Sequence, residues 1–263
     1  MLTRSVKGVV RHRQILGVTF FSGEAKAAIH EVRNGGLVVV PAAPALKNIT
    51  TNGPYRDALV NADLVLADSG LMVLVWNILE RDAIRRLSGL AYLKELLRDP
   101  FVRERDNTFF VMASQISSQT NLAWLAEAGI LPDDRHVYIA PLYRANNIAD
   151  EDLIRILNER RPGHVIITVG GGTQECLGIY LKRNLDYLPA IHCIGAALAF
   201  LSGDQVRIPM WADRLYLGWL YRCVSEPKRY LPRYWSARTL PWLIVKYRHR
   251  LPMESSESVV ATR

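Results

Sequence analysis

Cysteine is scarce and badly placed for chemistry. Cys176, Cys193 and Cys223 are odd in number and widely spaced in a chain of 263 residues, with no C-x-x-C pair. That argues against a disulfide framework and against a thiolate zinc site, and reduced thiols in a cytoplasmic protein are expected. Long apolar runs are missing too. The longest candidate, Leu71 to Leu79, is short and contains Asn77, far from the roughly 18 residues a membrane-spanning helix needs. The basic segment from Met1 to Thr19 has a brief apolar stretch and no small-residue cleavage site, so a secretory signal is not expected. His30, His136, His164, His192 and His249 lack metal-ligand spacing, and neither a metal nor a cofactor is expected. The first strand is not followed by G-x-G-x-x-G and a ribose-binding acid, which argues against a dinucleotide-dependent dehydrogenase.

What is present is a chain of 29.7 kDa with 49% apolar residues, long enough to bury a full core. Its formal charge of +8 is concentrated. Arg207 to Arg250 holds ten Lys or Arg against Asp213 and Glu226, and the rest of the chain is neutral. The same stretch carries Trp211, Tyr216, Trp219, Tyr221, Tyr230, Tyr234, Trp235, Trp242 and Tyr247. Cations interleaved with Trp and Tyr favour an anionic surface with an apolar interior, a membrane face or phosphorylated lipid. Single-stranded nucleic acid fits the same composition.

Upstream of that stretch, short β-rich runs alternate with helical patterns. Gln14–Phe21, Leu37–Val40, Asp63–Asp68, Thr108–Ala113, His136–Ala140, Val165–Val169 and Ala190–Gly195 read as strands. Glu24–Arg33, Pro44–Asn61, the run to Leu79, Leu90–Arg98, Ser118–Ala128, Ala149–Arg160 and Gln174–Leu188 read as helices. This alternation predicts an α/β fold, a Rossmann-like, mostly parallel sheet with crossover helices. Residues 1–204 would form that domain and 205–250 a basic, aromatic, helical appendage broken by Pro209, Pro227, Pro232 and Pro241. Residues 251–263 are expected to be a disordered tail.

The stretch from His164 to Glu175 is the most telling. Val165 to Val169 lack polar alternation, as in a strand covered on both faces. Gly170, Gly171 and Gly172 then allow a ligand to approach backbone, and the next helix would aim its free N–H groups into that loop, a place suited to an anion. A plain glycine turn fits equally well. Ligands of open parallel sheets sit beyond the carboxyl ends of the strands, where Val40-Pro41-Ala42, Asp68-Ser69-Gly70 and Gly171 to Glu175 would fall. Asp68 could act as a general base there or simply cap the following helix. Gln174 and Glu175 could meet sugar hydroxyls, although Glu175 taken alone reads as compensation of the helix dipole. Arg222, Arg229 and Arg233 could clamp a diphosphate or form a solvated basic face.

Five blocks in order carry a resemblance. They are Asn61 to Gly70, Arg86-Leu-Ser-Gly89, Val169 to Glu175, Ile194 to Gly203 and Gly218 to Arg229. Together they resemble the WecG/TagA/CpsF glycosyltransferases across roughly residues 15 to 235. The resemblance implies an inverting, metal-independent transfer of a sugar from a UDP donor to a polyprenyl-diphosphate-linked sugar at the inner face of the cytoplasmic membrane. It implies that Asp68 is the base and that Gln174, beside Thr173, lies in the sugar pocket. Arg86 would be a binding residue, and Arg222 and Arg229 would close over the donor diphosphate. No nucleic-acid partner is implied, and homo-oligomerisation is left open.

The chain departs from the family pattern in places. Val40 and Ala42 stand where Thr and Asn are usual, Gly172-Thr173 replaces Pro-Lys, Ala91 replaces an Asp, and Pro232 a further Arg. A site without those polar groups suits a plain hexose such as glucose, as in the branch that resembles enzymes adding the second sugar of an exopolysaccharide repeat. A non-catalytic nucleotide- or nucleic-acid-binding module is the alternative reading of the same residues.

Overall fold

The structure, a computed structural model, describes residues 11–143, 148–205, 209, 212 and 218–252. Its centre is an eight-stranded sheet of β1 (Arg11–Ile15), β2 (Val18–Ser22), β3 (Gly36–Val39), β4 (Leu64–Leu66), β5 (Thr108–Met112), β6 (Val137–Ile139), β7 (His164–Ile167) and β8 (Ala190–Cys193). The order across the sheet is β1-β2-β4-β3-β8-β7-β5-β6. Only β1 and β2 pair antiparallel; the remaining pairs are parallel.

The strands are apolar on both sides because both sides are covered. Phe109, Val111, Val165 and Ile167 point into one apolar layer, and Phe110, Met112 and Ile166 into the other. The first layer is closed by helices α2 (Ala43–Leu46), α3 (Gly53–Val60), α4 (Gly70–Glu80), α8 (Glu151–Arg160) and α9 (Thr173–Asn184). The second is closed mainly by α1 (Ala25–Glu31), α5 (Gly89–Leu96), α7 (Gln115–Glu127) and α10 (Ala197–Ser202). A short α6 (Pro100–Arg103) precedes β5. This two-layer covering of a parallel sheet is the Rossmann-like arrangement that the alternation predicts.

One predicted strand is in fact two. Gln14 to Phe21 folds back at Leu16 and Gly17, which take φ values of 54° and 75°, the doubly left-handed pair that a two-residue hairpin requires. The apolar run Ile15-Leu16 conceals this turn, and a carbonyl from a distant part of the chain holds it: Leu16 N donates to Arg248 O at 2.7 Å. The glycine-loop helix also stops at Asn184, short of the expected Leu188, because Leu185 adopts extended backbone.

After Gly218 the chain forms α11 (Gly218–Ser225), α12 (Pro227–Ser236) and α13 (Leu240–Tyr247). Two of the prolines expected to break helices begin them. Pro227 and Pro241 sit in the first turn, where no N–H is needed, while Pro232 lies inside α12. Leu240, Leu243 and Ile244 of α13 join the main core, as does the partly buried Leu251. Residues 253–263, most of the predicted tail, lie outside the described residues.

Two histidines on neighbouring strands form a buried chain that sequence reading passes over. His164 Nδ1 lies 3.1 Å from His192 Nε2, and His192 Nδ1 lies 2.9 Å from the Tyr92 hydroxyl. Desolvation holds the basicity of both imidazoles below the ordinary histidine value, His192 the more strongly because His164 is beside it.

Candidate active site

The strand order reverses between β3 and β8. The chain leaves β3 for β4 on one side, while β8 is reached from β7 on the other. At such a switch point the loops leaving the carboxyl ends splay apart and leave a crevice. Here the crevice is a cavity of about 250 Å³ whose walls include Val40 and Ala42 after β3, Asp68 after β4, Gly171 after β7 and Gly195 after β8.

Asp68 does not cap α4. Ser69 does so, its side chain accepting from Met72 N at 3.2 Å, which leaves the preceding carboxylate for other work. Arg86 Nη2 donates to Asp68 Oδ1 at 3.0 Å and Arg86 Nε donates to the Asp68 carbonyl. Gly89 N, opening α5, adds a 3.3 Å bond to the same Oδ1. Oδ1 is thus held from two directions, and among the described residues Oδ2 takes no hydrogen bond.

Gln174 and Glu175 open α9 and are 2% and 1% exposed. Buried polar groups at this level must be paired, and each is. Gly195 N donates to Gln174 Oε1 at 2.5 Å, while Gln174 Nε2 donates to Glu175 Oε1 at 3.2 Å. Gly172 N donates to Glu175 Oε2 at 2.6 Å. Desolvation raises the Glu175 carboxyl above its usual range, opposed by these bonds and by the charge of Arg233. Glu175 therefore compensates the helix terminus from inside the protein, and the helix end offers an outside anion less than the glycine loop alone implies. Gln174 and Glu175 line the cavity; Gly172 and Thr173 do not.

The cations come from distant parts of the sequence. Arg86 belongs to the sheet domain, whereas Arg222 and Arg233 arrive on α11 and α12, and all three line the cavity. Arg222 Nη1 donates to the Tyr234 hydroxyl at 2.9 Å, and its guanidinium stacks 4.2 Å from the Phe200 ring centre. Its Nε is buried with no acceptor among the described residues, a costly state for a donor. Arg233 reaches the glycine loop, since a Cβ built on Gly171 would lie 3.9 Å from its Nη2. Arg229 lies on the backbone of α12, but its side chain falls outside the described residues.

This chain matches the glycosyl transferase WecG/TagA/CpsF family over residues 13–254. The chain belongs to that family. It is similar to the N-acetylglucosaminyldiphosphoundecaprenol N-acetyl-beta-D-mannosaminyltransferase of Staphylococcus aureus (strain MRSA252), with 21% identity over 224 residues, 82% of this chain and 85% of that protein. The enzyme of the same name from Bacillus spizizenii (strain ATCC 23059 / NRRL B-14472 / W23) is 23% identical over 222 residues, 78% of this chain and 79% of its own length. The protein is thus a glycosyltransferase.

Several groups lining this candidate site escape a reading of single residues. Gly89 N and Gly195 N hold Asp68 and Gln174 by backbone alone, and no side chain advertises such a role. Phe200 is found only as the partner of a distant arginine. Tyr230, which is 2% exposed and donates to Gln205 Oε1 at 3.1 Å, closes the cavity from α12. In the sequence it is one of many aromatics in a basic stretch. Among the described residues no group of three His, Cys, Asp or Glu is disposed to hold a metal ion.

Proposed function

We propose that the protein moves a hexose, of the glucose or N-acetylmannosamine type, from a UDP-sugar to a polyprenyl-diphosphate-linked sugar, with inversion and without a metal. One observation carries this reading: a part-buried carboxylate, one of whose oxygens takes no hydrogen bond among the described residues, shares a cavity with three arginines drawn from distant parts of the sequence. The relatives' names, which specify a diphosphoundecaprenol-linked acceptor and a mannosaminyl transfer, support it.

In this reading the acceptor hydroxyl attacks the anomeric carbon on the face opposite the diphosphate. Its proton passes to Asp68 Oδ2 as the new C–O bond forms. The bond from the anomeric carbon to the diphosphate oxygen breaks, and the electron pair leaves with UDP. Arg86 and Gly89 N orient the base by gripping Oδ1, so that a fixed oxygen faces the acceptor. Arg222 and Arg233, with Arg229 on the same helix, neutralise the charge that grows on the departing diphosphate. Gln174, locked by Gly195 N, borders the sugar. Val40 and Ala42 give the wall beyond β3 an apolar character, which suits a hexose without a polar substituent on that side.

The basic, aromatic residues 205–250 serve in this reading as the arm that brings the enzyme to the inner face of the cytoplasmic membrane, where exopolysaccharide or other cell-surface sugars are assembled on lipid. No helix among the described residues is long and apolar enough to cross a membrane. The deciding experiment is transfer of radiolabelled sugar from UDP-glucose and from UDP-N-acetylmannosamine onto vesicles loaded with lipid-diphosphate monosaccharide. Label must appear in the lipid fraction with one donor. A protein that binds no UDP-sugar and labels no lipid is not acting as proposed.

A further inference from the structure

Helix α4 is apolar except for Asn77 and Glu80, yet part of its apolar surface is left uncovered. Met72, Val73 and Trp76 are buried in the main core. On the other side Leu71, Leu74 and Ile78 are exposed, Leu74 by 49% and Ile78 by 80%. Their spacing of three and four residues sets them in one line along the helix. A helix with apolar residues on every face is normally enclosed, and an apolar ridge left open marks a binding surface.

The position of the ridge says what it meets. Leu71 lies in the first turn of α4, three residues after Asp68, which lines the cavity, and the line runs on from there for roughly 10 Å along the helix axis. Helix α13 packs alongside α4 and exposes Trp242 and Val245. The Lys246 ammonium lies 4.7 Å from the Trp242 ring centre, a cation and an indole paired as at the boundary of a lipid phase. Three side chains in single file are too narrow for a stable protein interface, which buries on the order of 800 Å² per partner.

We propose that the α4 ridge is the track for the isoprenoid tail of the acceptor. The inference rests on the lipid-acceptor reading above. A sugar attacked beside Asp68 is joined through a diphosphate to its tail, so the tail must leave the cavity close by, and the ridge is an apolar surface that begins three residues from Asp68. Leu71 meets the first part of the chain, and Leu74 and Ile78 guide it outward into the membrane.

The test compares two acceptors in detergent solution, one with a long polyprenyl tail and one with the same diphosphate sugar on a short alkyl group. In the double variant Leu74→Gln and Ile78→Gln, and in Ile78→Gln alone, which should fold because that residue is open to solvent, KM for the long-tailed acceptor should rise about tenfold. KM for the short acceptor and kcat for both should stay as in the unaltered enzyme. Equal KM changes for both acceptors, or none, would overturn the track, as would a change in sedimentation showing that the ridge joins two copies. Loss of vesicle binding with unchanged discrimination between tails would likewise overturn it and leave a bilayer contact. If the unaltered enzyme transfers sugar to neither acceptor, it is the transferase reading that fails.

Discussion

Arg86 grips Asp68 at two points, its Nε on the main-chain carbonyl and its Nη2 on the carboxylate oxygen Oδ1. A guanidinium fork fits this double grip; a single ammonium does not. The relationship separates a residue that would accept a proton from one that aims it, and the two make different kinetic predictions.

Asp68→Asn keeps the shape and the partners of Oδ1 but removes the carboxylate proposed as the base. Turnover should fall by about 100- to 10,000-fold, while the dissociation constant for the UDP-sugar, measured calorimetrically, should change less than about threefold. Turnover within a factor of a few of the unaltered enzyme would remove Asp68 from the chemistry.

Arg86→Lys should retain a positive charge and lose the aim. We expect kcat to drop about 10- to 100-fold with a smaller change in donor KM. The opposite pattern, a large KM change at constant kcat, would make Arg86 a donor-binding residue and nothing more.

Arg222 is fixed by two contacts of different kinds, the Tyr234 hydroxyl and the Phe200 ring. Lysine cannot meet both while also facing a diphosphate. Arg222→Lys should weaken binding of UDP itself about tenfold, and Phe200→Leu should reproduce part of that loss with the arginine intact. UDP affinity unchanged in both would place the diphosphate elsewhere.

Gly171 tests the cavity without removing a charge. Its φ is not positive, and an added Cβ would meet Arg233 Nη2 and Ala45 Cβ at 3.9 and 4.0 Å, ordinary contact distances. Gly171→Val should therefore keep the thermal midpoint within a few degrees, while its branches project between two cavity walls and lower donor affinity at least about tenfold. A fully active Gly171→Val enzyme would show that the donor does not lie over this loop.

Several residues that line the candidate cavity stand out in the sequence, and their positions show why. Asp68 and the glycine loop each end an apolar run, and a strand end is where a parallel sheet collects ligands, so local pattern sufficed to single them out. Pattern could not tell Asp68 from a helix cap, because Ser69 next to it has the same capacity, and only geometry shows the serine taking that role. The hairpin at Leu16 and Gly17 was hidden because a leucine seldom adopts positive φ; the carbonyl that accepts its Leu16 N–H belongs to Arg248, far away in the sequence. Strand order, the stacking of Arg222 on Phe200 and the backbone amides that Gly89 and Gly195 give to Asp68 and Gln174 are likewise long-range facts with no local trace.

The His164–His192 pair gives the protein a stability that depends on pH in a definable direction. Both side chains are buried, with the Tyr92 hydroxyl at one end of the chain and Asp99 the nearby acid at the other. Desolvation lowers the pKa of each in the folded protein, so the unfolded chain takes up their protons first. Stability is then complete above the ordinary histidine value of about 6.5 and is lost as the pH falls through it. Urea unfolding followed by tryptophan fluorescence should show a midpoint that declines between pH 7 and pH 5. In His164→Asn, which removes one of the two bases and keeps a polar group beside His192, that decline should be shallower even though the midpoint at pH 7.5 is lower. An equally steep decline in the variant would trace the acid sensitivity to other groups, leaving the histidine pair as neutral packing.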